Sequence, residues 1–293
     1  MMSKKIEKDG VLIVYKEKGI TSFQILRRLK KVFKFRKIGH GGTLDPFAEG
    51  IVIVFINRAT KISQFFLNSR KVYDAKLFLG VSTNTMDSDG NMIGYGYKSA
   101  LNVDFIVEVI GKYIGKKIQR VPNFSAVKYM GKPLYFYSRK GIVTPDKYKL
   151  VEIFSIELKD YSPPFLDFEV ECSGGTYVRA LGYDIARDLC GAGHLIGLKR
   201  KRVKNFTESD SLKLHEIEKL SVKELEKKMI SVERCIEWMP EIYLKEEYGV
   251  SFLNGVKIKI DRENGIYRVF SGKRFLGVGE VKYKMLRPLI VFR

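Results

Sequence analysis

The stretch Gly39-His40-Gly41-Gly42-Thr43-Leu44-Asp45-Pro46-Phe47-Ala48-Glu49-Gly50 sets one carboxylate, Asp45, in a glycine-rich loop that feeds an apolar run. Glycines permit backbone conformations and close approaches that other residues resist. Pro46 fixes the chain directly after the aspartate and biases Asp45 toward an extended backbone. The run that follows, Ile51-Val52-Ile53-Val54-Phe55-Ile56, has the length and β-branched content of a buried central strand. A carboxylate at the mouth of such a strand is rigid and poorly solvated, which suits it to act as nucleophile or base. The same local pattern also fits a plain turn before a strand.

Arg179 is a second residue whose position calls for a partner. It follows Cys172-Ser173-Gly174-Gly175-Thr176-Tyr177-Val178, where a glycine turn leads into a helix with Val178, Leu181, Ile185 and Leu189 as its apolar positions. Gly191 and Gly193 supply the stop. A cation in the first turn of a helix gains nothing from the helix dipole, so Arg179 answers to something else, most naturally a carboxylate. Burial raises a carboxyl pKa, and an adjacent guanidinium lowers it by about 1–3 units. A carboxylate paired with such an arginine therefore stays ionised in a dry pocket.

The elements that must position these two groups alternate between strand and helix. A first strand covers 11–15, and Thr21 and Ser22 are candidate caps for a helix with Phe23, Leu26, Leu29 and Phe33 on one stripe and Arg27, Arg28, Lys30, Lys31 and Lys34 around the rest. Residues 58–68 read as helix, and 71–80 as a strand with Tyr73, Ala75, Leu77 and Leu79 on one face. A loop runs from Ser82 to Asn91, and a helix from Asn102 places Phe105, Ile106, Val109, Ile110 and Tyr113 at helical spacing. Residues 116–141 leave the pattern as a basic, tyrosine-rich excursion, suited to phosphates and stacking, although tyrosines also simply anchor loops. Strands at 149–160 and 165–172, a basic strand at 194–206 and short helices over 211–238 follow. Beyond Trp238-Met239-Pro240 come short strands between glycine turns, a β-rich module of about 54 residues appended to a larger α/β domain.

Composition narrows the class. In 293 residues, 45% apolar content with 12% aromatics excludes a disordered chain. Lysine and arginine number 53 against 33 acidic residues, a formal charge of +20, which favours a polyanionic partner over a merely solvated surface. Cys172, Cys190 and Cys235 are far apart, so neither a zinc site nor a disulfide framework follows and a cytoplasmic setting is expected. The start, MMSKKIEKDG, is charged, so no secretory signal is expected there, and no apolar run approaches a spanning helix.

Three separated segments, Lys16 through Asp45 to Gly50, Val121 to Tyr135 and Gly175 to Lys201, occur in the order that resembles the bacterial tRNA pseudouridine-55 synthase family, the TruB type. The resemblance extends over nearly all of 11–238. It implies an α/β (α+β) fold with a mixed, largely antiparallel sheet and flanking helices over 1–238, and a C-terminal PUA-like RNA-binding module over 239–293. It implies that Asp45 is the catalytic aspartate, Tyr73 the ring that stacks on the target base, and Arg179 the paired arginine. His40 matches a histidine that positions T-loop nucleotides. Lys16 and Lys61 fall on lysine positions of the family and Leu198 on a leucine that lines the pocket, all three expected to bind or position the RNA. The excursion 116–141, with Lys128 and Tyr135, looks like the family's RNA-gripping insertion. Glu17 in place of a proline, and Asn123-Phe124 in place of proline-tyrosine, depart from the pattern in loop shape more than in chemistry.

The implied reaction moves uracil from a nitrogen to a carbon attachment, with no redox change and no net hydrolysis, so no metal or other cofactor is expected. Attack on the base, attack on the sugar and elimination at the sugar all use one carboxylate. The expected partner is tRNA through its T-arm, met by a monomeric chain away from any membrane. A non-enzymatic RNA-binding or RNA-folding factor, and a guide-RNA-dependent synthase, are the alternatives.

Overall fold

A computed structural model describes residues 4–96 and 100–292; the first three residues of the charged start lie outside it. Its main body is a ten-stranded sheet. The strands that matter for the site are β1 (Gly10–Lys16), β2 (Ile38–His40), β3 (Glu49–Ile56), β4 (Lys71–Leu79), β5 (Gly115–Arg120), β6 (Tyr148–Ser162), β7 (Phe165–Cys172) and β8 (Gly193–Val203). The order runs β1-β3-β8-β4-β7-β6-β5, with Leu212–Lys213 added beside β1 and β2 beside β3. Neighbours are antiparallel except β3 with β8 and the Leu212–Lys213 edge with β1. A mixed, largely antiparallel sheet with flanking helices is therefore what forms.

β3 sits between two cores because its side chains alternate across the sheet. Val52, Val54 and Ile56 join a core with Ile25, Leu26 and Leu29 of α1 (Ser22–Val32) and Leu181 and Ile185 of α4 (Val178–Cys190). Ile51, Ile53 and Phe55 face the other way, into a cluster with Phe66, Trp238, Val278 and Ile290. That cluster receives the C-terminal sheet, built from β9 (Glu241–Leu244), β10 (Gly265–Ser271), β11 (Arg274–Lys282), β12 (Met285–Val291) and Ile258–Lys259.

Several sequence expectations need correction. Phe23 is not on the buried row of α1; it is 69% exposed, and Phe33 is buried but begins the next strand. Residues Asn57–Ser63 form a 3-10 helix and only Gln64–Leu67 are α-helical. The cause is local: the Thr60 and Ser63 hydroxyls and the Gln64 amide each donate to the carbonyl three residues back, which favours the tighter turn. Phe105 is exposed at the edge of α2 (Val103–Gly111), which begins after Asn102 as expected, with the Asn102 side chain as its cap. The excursion begins as a regular edge strand, β5, and leaves the sheet only after it, through a short hairpin into α3 (Leu134–Ser138). The C-terminal module also contains a helix, α5 (Glu246–Leu253), in a stretch whose pattern gave no signal.

Gly50 shows how tightly the loop meets the sheet. It has φ +113°, and a Cβ there would lie 2.4 Å from the Arg200 carbonyl oxygen across the β3–β8 pair. Gly50→Ala is expected to lower stability by about 1–3 kcal/mol through backbone strain and displacement of β8, measured by urea unfolding; an unchanged midpoint would contradict this close packing.

Candidate active site

Asp45 lies in a cleft of about 640 Å³ whose lining includes His40, Leu44, Asp45, Asp87, Phe124, Tyr135 and Arg179. Its carboxylate, 32% exposed, meets a guanidinium that is 3% exposed. Arg179 Nε donates to Asp45 Oδ2 at 2.8 Å and Nη2 to Oδ1 at 3.4 Å. The same guanidinium donates from Nη1 to the Thr85 carbonyl at 2.7 Å and from Nη2 to the Phe124 carbonyl at 3.0 Å, and faces Asp87 Oδ2 at 3.3 Å. One arginine at the head of α4 thus gathers the glycine loop, the 82–91 loop and the insertion.

The glycine loop is held from beneath by buried cations that bond to carbonyls. Arg200 donates to the carbonyls of Ile51, Thr43 and Gly42 at 2.7, 3.2 and 3.3 Å. Lys16 donates to the carbonyls of Ala48 and Ile20 at 2.6 and 2.7 Å, and to those of Glu17 and Pro46 at 3.1 and 3.3 Å. From above, the Leu44 amide donates to Ser22 Oγ at 2.9 Å, which ties the start of α1 to the residue before Asp45. Burial drives the Lys16 amine down to about 8, against the attraction of Asp45. Burial also lowers the pKa of His40, with Arg200 adding to the effect, so its imidazole is held neutral.

The structure brings Asp45, Arg179, His40 and Tyr135 to one cleft. Tyr73 and Leu198 are placed next to it rather than in its lining. They lie on adjacent strands, where Tyr73 pairs with Arg200 and Leu198 with Ala75, and both are buried in the core row. Burial pushes the Tyr73 hydroxyl up to about 12, opposed by the neighbouring Arg200. Lys16 corrects the expectation of an RNA contact: it is fully buried and its amine is spent on backbone carbonyls. Lys61 lines a separate depression with Arg36, Lys37 and Arg58, away from the cleft lining, and Lys128 is exposed on the insertion hairpin. His194 is structural, its Nδ1 bonded to the Val81 carbonyl at 2.7 Å.

Two charged groups of the site escaped sequence reading. Asp87, in a loop that reads only as polar, is turned inward; burial raises its pKa, while the Thr85 hydroxyl and Arg179 oppose the rise. Nothing in its local sequence marks an inward carboxylate. Arg200 had a signal, because a period of two from Leu198 puts an arginine on the inward face of a strand.

The fold is shared with a chain of a solved H/ACA RNP bound to a substrate RNA containing 2'-deoxyuridine, at TM-score 0.74 and 21% identity, covering 97% of this chain and 85% of the other. A Cbf5-Nop10-Gar1 complex gives TM-score 0.73 at 21% identity, covering 97% and 83%. The family model described as "TruB family pseudouridylate synthase (N terminal domain)" matches residues 30–178, and "Pseudouridine synthase II TruB, C-terminal" matches 240–292. The proteins named tRNA pseudouridine synthase B from Clostridium acetobutylicum and Aquifex aeolicus are 37% and 34% identical, each over 96% of this chain, covering 99% and 98% of their own lengths. Fold and matches define a pseudouridine synthase, an isomerase. Within that class the chain belongs to the TruB family.

The Lys16 shift carries a stability prediction. Its folded pKa of about 8 lies below the ordinary 10.5, so between those values the unfolded chain binds more protons and stability rises with pH. Lys16→Met removes that contribution, so unfolding free energy, measured by urea titration across this window, climbs less steeply in the variant than in the wild type. Equal slopes would contradict a buried, charge-penalised Lys16.

Proposed function

We propose that this chain converts the T-loop uridine at position 55 of tRNA to pseudouridine, with Asp45 as the catalytic carboxylate. The observation that carries the reading is the ion pair: a partly exposed carboxylate at 2.8 Å from an almost fully buried guanidinium, in a cleft roomy enough for a nucleotide. The relatives named tRNA pseudouridine synthase B, aligned over nearly the whole chain, support tRNA as the substrate.

The reaction breaks the bond from ribose C1′ to N1 and forms one from C1′ to C5; the C5 proton leaves and N1 gains one, with no net oxidation. The target base must first leave its stack, at a cost of a few kcal/mol offset by contacts in the pocket. In this scheme Asp45 touches the reacting atoms, and Arg179 fixes its orientation through two N–H groups. Tyr73 provides the ring for the base, a role supported by its place in the row beneath the loop, beside Arg200 and close enough to Asp45 to feel its charge. Leu198, in the same row, bounds the pocket. Neutral His40 positions T-loop nucleotides as a hydrogen-bonding group, not as a charge. Tyr135, Lys128 and Lys61 meet the RNA outside the reacting centre. Residues 239–293 are the RNA-binding, PUA-like module and 1–238 the catalytic domain, which works as a cytoplasmic monomer.

Tritium release from a tRNA transcript labelled at uracil carbon 5 tests the chemistry. Asp45→Asn is expected to reduce the rate at least about 10⁴-fold, the scale of losing a central catalytic group, with filter-binding affinity largely kept; appreciable turnover would sink the assignment. Arg179→Lys keeps the charge but loses the fork, and a loss of about 10²-fold is expected from misplacing the carboxylate. A near-normal rate would refute the pairing as an orienting device.

A further inference from the structure

Phe23 is an aromatic side chain that the core does not use. The buried row of α1 is Ile25, Leu26 and Leu29, and Phe23 stands off it at 69% exposure while lining the same cleft as Asp45. Its backbone is nonetheless fixed. Thr21 and Gln24 close a capping box around it, with the Gln24 amide donating to Thr21 Oγ1 at 3.0 Å and the Thr21 amide to Gln24 Oε1 at 2.6 Å. Ser22 is bonded to Leu44, so the residue before Phe23 is bonded to the residue before Asp45.

Of the three cleft residues, Arg179 is 3% exposed, the Asp45 side chain 32% and Phe23 69%. Phe23 therefore stands on the solvent side of the cleft, with its backbone tied to the loop that carries Asp45. The lining also carries Asp87 and Asp89 beside Asp45, and carboxylates disfavour phosphate. Arg139, exposed beside the Tyr135 ring, is the lining's outward cation for a phosphate, and ring surface for a base comes from Phe23 and from Phe124 and Tyr135 of the insertion. When a uridine leaves its stack to reach Asp45, the face of the neighbouring base is left open to water, and a preorganised ring on the solvent side covers it at little entropic cost.

We infer that Phe23 is a positioning residue that stacks on a nucleobase adjacent to the target uridine. This rests on the reading of the cleft as a uridine site. Stacking of a base on an aromatic side chain is worth enough that its loss raises KM roughly 5- to 100-fold.

The test uses the full chain and a tRNA transcript, unlabelled for turnover and carrying 2-aminopurine on either side of the target for fluorescence. Phe23→Leu keeps apolar bulk and loses the π face; Phe23→Trp restores it. The expected result is a raised KM with kcat largely kept for Phe23→Leu, loss of the 2-aminopurine quench at one flanking position, and recovery of both in Phe23→Trp. A thermal midpoint equal to wild type is expected because the side chain is exposed. Wild-type KM and quench in Phe23→Leu would overturn this inference alone. Failure of the wild-type chain to form pseudouridine would remove the uridine-site reading, and this inference with it.

Discussion

The rest of the site depends on one buried guanidinium. Moving an arginine from water to a position 3% exposed carries a desolvation penalty of several kcal/mol unless its N–H groups find acceptors and its charge finds anions. Arg179 also opens a helix, where the dipole opposes a cation. Its N–H groups meet Asp45, the Thr85 carbonyl and the Phe124 carbonyl, and Asp87 adds a second negative charge. Three segments far apart in sequence therefore converge because one charge requires them. Asp45 owes its fixed orientation to that requirement.

Beneath this pair the loop is supported by cations that take carbonyl oxygens in place of carboxylates. Lys16 and Arg200 hold the segment from Gly42 to Ile51, and Lys71 donates to the carbonyls of Phe66, Leu67 and Ser69 at 2.9 to 3.2 Å. Bonds of this kind fix backbone without neutralising charge, so the floor of the site keeps a positive background. The C-terminal sheet is tied to the same place. A Cβ on Gly41 would meet Phe55 and Phe66, and those rings belong to the cluster that packs Trp238, Val278 and Ile290. The loop that carries Asp45 and the face on which the terminal module docks share their aromatic side chains.

Much of this was legible in the sequence because its signals are local. The apolar run of β3, the alternation of Tyr73, Ala75, Leu77 and Leu79, the helical spacing after Asn102 and the glycine after α4 each declare an element within a few residues. An arginine in a first turn likewise announces a missing carboxylate, and Asp45 is the one it meets most closely. What was not legible depends on long-range contacts. Asp87 turns inward only because Arg179, distant in the chain, waits there. Lys16 reads as a surface lysine until four carbonyls are folded around it. Phe23 fits an apolar helical stripe by spacing, yet the row that is buried is Ser22, Ile25, Leu26 and Leu29, with Ser22 bonded to Leu44, and Phe23 lines the cleft.

The most direct test of the account is nucleotide-resolution mapping of pseudouridine in an unmodified tRNA transcript incubated with the purified chain and nothing else. A cleft that presents Asp45 to one flipped uridine predicts a single new pseudouridine, at the T-loop uridine of position 55. No pseudouridine, or pseudouridine only at other positions, would contradict it.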